Sequence, residues 1–139
     1  MEWLAEWIRQ QLGQNLARSV NLPGSDEPAM YLHGSIGYDT ALTMGGEVWV
    51  TEYDVDGPAA PQEQWRLAGP TERIGYLVIA ARRRAEINRL LPKRPIASLD
   101  CEHCDGTGEW RLRANDGTMI APIAGMICKE CGGLGWSAG

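Results

Sequence analysis

The chain has 139 residues, 18 acidic against 13 basic, and a formal net charge of −5, a size that fits one ordinary domain or a compact domain with a small appendage. Apolar residues at 44% and charged residues at 22%, with a mean hydropathy of −0.28, argue against a disordered tail and against a membrane protein. The most apolar run, Ile74 to Ala81, is far shorter than the roughly 20 residues a bilayer span needs, and with no phenylalanine present the core must be built from aliphatics and tryptophan.

The opening MEWLAEWIRQQ has acids where a signal peptide carries its cationic region, and no apolar stretch follows, so a reducing cytoplasm is the expected compartment. Trp3, Leu4, Trp7, Ile8, Leu12 and Leu16 recur at helical spacing, which predicts an amphipathic helix over about residues 2 to 18. Leu22-Pro23-Gly24-Ser25-Asp26 ends that pattern. Short β-like stretches follow: Met30 to Leu32, Thr40 to Met44 and Glu47 to Tyr53, the last two joined by Gly45-Gly46, a hairpin signal that predicts an antiparallel meander. Gln64 to Leu67 offers a further strand after the proline-rich loop Gly57 to Pro61. Pro70-Thr71-Glu72 starts a second helix, with Thr71 as N-cap. It is expected to run to about Leu91 on a buried stripe of Ile74, Leu77, Val78, Ala81 and Ala85, continued by Ile87, Leu90 and Leu91. Pro92 stops it, and Lys93-Arg94-Pro95 reads as a linker.

Beyond that linker come all four cysteines, as Cys101-Glu-His-Cys104 and Cys128-Lys-Glu-Cys131. Two C-x-x-C knuckles are the usual arrangement for a tetrahedral zinc ion, because each turns the backbone so that both thiolates converge on one metal. A redox dithiol and a metal-free disulfide module are the competing readings. His103, inside the first knuckle, could exchange as a ligand, but four cysteines already complete the shell. Glycines follow each pair at matching offsets, giving two copies of C-x-x-C-x-G-x-G, with Gly106 and Gly108 after the first and Gly133 and Gly135 after the second. Between the knuckles, Trp110 and Leu112 face Met119 and Ile120 across Ala114-Asn115-Asp116-Gly117, a β-hairpin pattern.

This repeat resembles the cysteine-rich zinc domain of the DnaJ chaperones. Four such repeats bind two zinc ions in that family; two repeats here imply one zinc ion on Cys101, Cys104, Cys128 and Cys131. The resemblance covers Cys101 to Trp136 and excludes a J-domain, since no His-Pro-Asp occurs. The order of elements before it, with Tyr31-Leu32-His33-Gly34-Ser35-Ile36-Gly37 leading into the hairpin, loosely resembles the SUKH superfamily of bacterial immunity proteins over residues 1 to 92. That resemblance implies a protein that binds and neutralises a toxin.

Charge is uneven. Residues 26 to 72 hold nine acids against Arg66 alone, a net −8, and residues 73 to 94 hold seven arginines and lysines against Glu86, a net +6. The acidic stretch suits a basic partner. Arg82-Arg83-Arg84 on a continuous helix would span about 200° and could not face one phosphate strand together. Glu52 to Gly57 begins like a calcium loop but lacks the distal ligands. No nucleophile motif, phosphate-binding glycine loop or signature using His33 or His103 is present.

The expectation is therefore an α+β domain over residues 1–95, an antiparallel meander between an N-terminal and a closing helix, followed by a four-cysteine zinc-hairpin module over 96–139. Its expected function is non-catalytic protein binding, with one structural zinc ion and no membrane association. A nucleic-acid-binding regulator using the arginine helix with Arg111 and Arg113, a holdase exposing Trp110, Ile120 and Trp136, and a thiol oxidoreductase are the alternatives.

Overall fold

The computed structural model describes residues 2–35, 37–53 and 64–137, with the backbone alone for 110–113, 119–127 and 137. The architecture is α+β, and the described residues form two compact units, 1–69 and 70–139. The second helix therefore groups with the cysteines rather than with the sheet.

In the first unit, helix α1 (Glu2–Gly13) precedes a five-stranded antiparallel sheet of β1 (Ser19–Val20), β2 (Ala29–Ser35), β3 (Tyr38–Leu42), β4 (Val48–Glu52) and β5 (Trp65–Leu67), in spatial order 1-2-3-4-5. Helix α1 stops well short of residue 18. The chain turns after Gly13 through Asn15 in the left-handed region (φ 57°), with Leu16 N–H donating to the Gln11 carbonyl at 2.9 Å, so Leu16 is left more than half exposed. This is the αL-type helix end that asparagine tolerates.

Alternation in the sheet gives it two distinct faces. On one, Met30, Leu42 and Val48 lie side by side, with Thr40 and Val50 in the next row. These five are fully buried, as are Leu4 and Ile8 of α1, and α1 packs on β2. The other face carries Tyr31, Ala41, Trp49 and Leu67 in one row. There Val20, Leu22, Ala29 and Ala41 form a small cluster against which Tyr31, Trp49 and Trp65 rest half-buried. Tyr31 donates to Asp39 Oδ1 at 2.9 Å, and the Arg18 guanidinium lies 4.3 Å from its ring centroid. Burial first, then Asp39, pushes the Tyr31 phenol up to about 12. The expected Gly-Gly connection is present between β3 and β4, closed by Gly46 N–H to the Thr43 carbonyl at 3.0 Å. The calcium-like loop from Asp54 and the proline-rich stretch to Pro61 lie outside the described residues.

In the second unit, α2 (Pro70–Ala81) is followed by a 3-10 helix (Ala85–Leu90), β6 (Leu99–Asp100), β7 (Glu109–Arg113), β8 (Met119–Ile127) and β9 (Trp136–Ser137). The hairpin β7–β8 forms around Asp116-Gly117 as its turn chemistry predicts. Two expectations for the helix are corrected. Pro70, not a Thr71 cap, opens it, which suits a residue with no N–H to satisfy. It also ends ten residues early. Arg82 and Arg83 donate to the carbonyls of Ile79 and Ala80, three residues back, which tightens and closes the last turn. Arg84 is then extended (φ −131°). The three arginines thus sit on a turn rather than a helical face, and Ala85, expected to be buried, is exposed whereas Ile87 is fully buried.

Candidate metal centre

Each knuckle places its sulfurs by the same set of main-chain hydrogen bonds. Gly106 N–H donates to the Cys101 carbonyl at 3.1 Å, and Gly133 N–H to the Cys128 carbonyl at 3.1 Å. Gly108 N–H donates to Cys104 Sγ at 3.2 Å, and Gly135 N–H to Cys131 Sγ at 3.2 Å. The knuckles also bond to each other reciprocally: Cys101 N–H to the Gly135 carbonyl and Cys128 N–H to the Gly108 carbonyl, both at 2.9 Å. The two halves are therefore local pseudo-two-fold copies, and each equivalent pair is 27 residues apart.

The glycines at matching offsets have a second role beyond the bend itself. A Cβ on Gly135 would stand 2.5 Å from the Gly106 carbonyl oxygen, and one on Gly108 would collide with the carbonyl oxygen of Gly133. Backbone passes against backbone where the halves meet, and both glycines have φ near +80°. Only glycine meets both requirements.

The four Sγ atoms all lie within 4.8 Å of one another. Cys104 and Cys128 are fully buried, Cys101 nearly so and Cys131 partly. None is in a disulfide. Burial pushes Cys131 up to about 12 and raises Cys128 as well. Burial also works against a Cys104 thiolate, but the Gly108 N–H, followed by the neighbouring sulfurs, outweighs it and lowers that thiol. A dry cluster of four thiols with amides aimed at two of them cannot ionise fully without a cation to offset the charge. The donor set fits a soft or borderline metal in four-coordinate geometry, and such a shell leaves no open position for substrate or water. His103 is exposed on the first knuckle and is not among the clustered ligands.

Supporting contacts come from elements whose sequence carries no metal signal. Along α2, Thr71 Cγ2 lies 3.2 Å from where a Gly132 Cβ would stand, and Val78 Cγ1 lies 3.2 Å from the equivalent point on Gly108. One helix thus touches both knuckles. Just past its end, Arg82 donates to the Thr107 carbonyl and pairs with Glu109, while Thr107 Oγ1 donates to the Cys104 carbonyl at 2.6 Å. Arg94 pairs with Asp100 at 2.7 Å, and β6 pairs with β9 to bring the two ends of the module together. Helical periodicity places Val78 on the buried stripe, where the structure leaves it half-buried, but nothing local to Thr71 or Arg82 points to cysteines 19 or more residues away.

Against protein-family models, curated proteins and solved structures, the chain has no match. The centre must be interpreted on its own chemistry. Among the described residues no helix is long and apolar enough to cross a membrane. The side chains of Trp110, Arg111, Arg113 and Ile120, on which the holdase and nucleic-acid alternatives draw, lie outside those described.

Proposed function

We propose that this chain is a non-catalytic protein-binding protein in which one zinc ion, held by Cys101, Cys104, Cys128 and Cys131, fixes the second unit. The observation that carries the zinc reading is the enclosure of four thiols within 4.8 Å. Four thiolates would satisfy a tetrahedral ion completely, so the metal's contribution is folding free energy, on the order of 10 kcal/mol for such a site. The DnaJ-like repeat supports the same ligand set. Iron would also accept four thiolates, and elemental analysis with a visible spectrum separates the two: zinc gives one equivalent per chain and no visible absorption.

The binding reading rests on charge together with the absence of an open coordination position. Residues 1–69 carry ten acids against three bases, a surface suited to a basic protein, as the SUKH-like order of elements also implies for a bacterial immunity or adaptor protein in the cytoplasm. The nucleic-acid alternative is less well supported, because Arg82 and Arg94 are engaged by Glu109 and Asp100. A tagged full-length chain, loaded with zinc, should recover one basic protein in stoichiometric amount from its native cell. Recovery of nucleic acid alone would overturn the reading.

A further inference from the structure

Within the first unit, the segment Leu22–Pro28 and the β3–β4 turn border a groove of about 330 Å³. Its apolar wall includes Leu22, Met44 and Trp49, and among the described residues its charged lining is Glu27 and Glu47, both exposed. The indole Nε1 of Trp49 is shielded from solvent and has no acceptor among the described residues. A buried donor without a partner is uncommon in folded proteins and marks a place where an acceptor is missing.

We propose that this groove binds an extended, basic segment of a partner protein, laying an arginine or lysine side chain against Trp49 with its charge toward Glu27 and Glu47. The proposal rests on the protein-binding reading above and gives it a site. Three features select this occupant. A tryptophan with carboxylates beside it and no cation in the lining favours a cationic side chain, whose aliphatic stem covers the ring while the head group meets the acids. An extended main chain presents carbonyls, and one that displaced the atoms now shielding Nε1 of Trp49 would give that donor the acceptor it lacks. The net −7 of residues 1–69 attracts a basic chain over distance and repels phosphates.

The test uses the full-length, zinc-loaded protein and a fluorescently labelled nine-residue peptide of alternating proline and arginine. Versions with glutamine or glutamate replacing arginine, and free arginine amide, serve as controls. Saturable binding of the arginine peptide is expected, weakening with added salt, with the glutamine peptide and arginine amide each at least about tenfold weaker and the glutamate peptide weaker still. Glu27→Gln with Glu47→Gln, both surface changes, should cost about tenfold, and Trp49→Phe, which keeps an aromatic ring but removes the donor, about three- to tenfold. Equal affinity for all the peptides, no saturable binding, arginine amide binding as well as the peptide, or indifference to the double glutamine variant would each overturn the groove. If the stoichiometric partner from the pull-down binds the double glutamine variant undiminished, the groove assignment fails while the protein-binding reading stands.

Discussion

Arg82, the first residue after α2, donates to the carbonyl of Thr107, whose own hydroxyl donates to the carbonyl of Cys104. A guanidinium on one element is thus two hydrogen bonds from a residue of the four-cysteine cluster on another. Arg82→Ala should lower the stability of the second unit by about 1 kcal/mol, since its ion pair is partly exposed and the bond to the carbonyl adds a modest net term. It should also speed loss of metal to a competing chelator. Arg82→Lys should recover only part of this, because an ammonium cannot reproduce the guanidinium fork that reaches Thr107 and Glu109 together. Chelator-transfer rates on the three proteins are the measurement.

Gly108→Ala places a methyl into the Gly133 carbonyl at a φ of +79°. Gly117 in the hairpin turn has a similar φ of +88° but nothing within 4 Å, so Gly117→Ala isolates the backbone strain alone, about 1–2 kcal/mol. Gly108→Ala is expected to exceed that clearly and to reduce metal content as well. Denaturant titration with elemental analysis separates the two; equal losses would mean the close approach of the knuckles contributes nothing.

Cys104→Ser should abolish zinc binding and unfold the second unit, including α2, because that helix touches both knuckles. His103→Ala should leave one metal per chain, since the imidazole is exposed and outside the sulfur cluster. Far-ultraviolet circular dichroism during chelator treatment follows the helix directly. An unchanged helical signal after metal loss would detach α2 from the site.

Metal affinity should depend on pH in one direction. Burial raises Cys131 from an ordinary value of 9.0 to about 12 and raises Cys128 as well, so an incoming metal must displace protons from these sulfurs. Affinity is therefore expected to fall as the solution is acidified, because protons compete with the metal for the thiolates. Zinc competition against a chelator from pH 5 to 8 checks the sign, and an affinity independent of pH would contradict it.

The clustering of the four cysteines was readable from sequence because C-x-x-C is a local device: three residues of backbone suffice to bring two sulfurs together, and the motif repeats. The β7–β8 hairpin was readable for the same reason, through Asp116-Gly117, and so were the strands around Gly45-Gly46. The helix ends were not. The apolar pattern from Ile74 to Leu91 continues past Ala81, and only the tight turn at Arg82 to Arg84, with Arg82 held by Thr107 and Glu109, accounts for the break.

The sequence by itself determined composition class, the alternation of strands, the two cysteine knuckles and the glycine offsets, since each depends on neighbours within a few residues. Tertiary structure alone decided that α2 belongs with the cysteines, that Gly108 and Gly135 are needed where two backbones meet, and that Glu27 lines a groove with Trp49. Those relationships join residues some 20 to 60 positions apart, and no local propensity specifies which distant surface a side chain will meet.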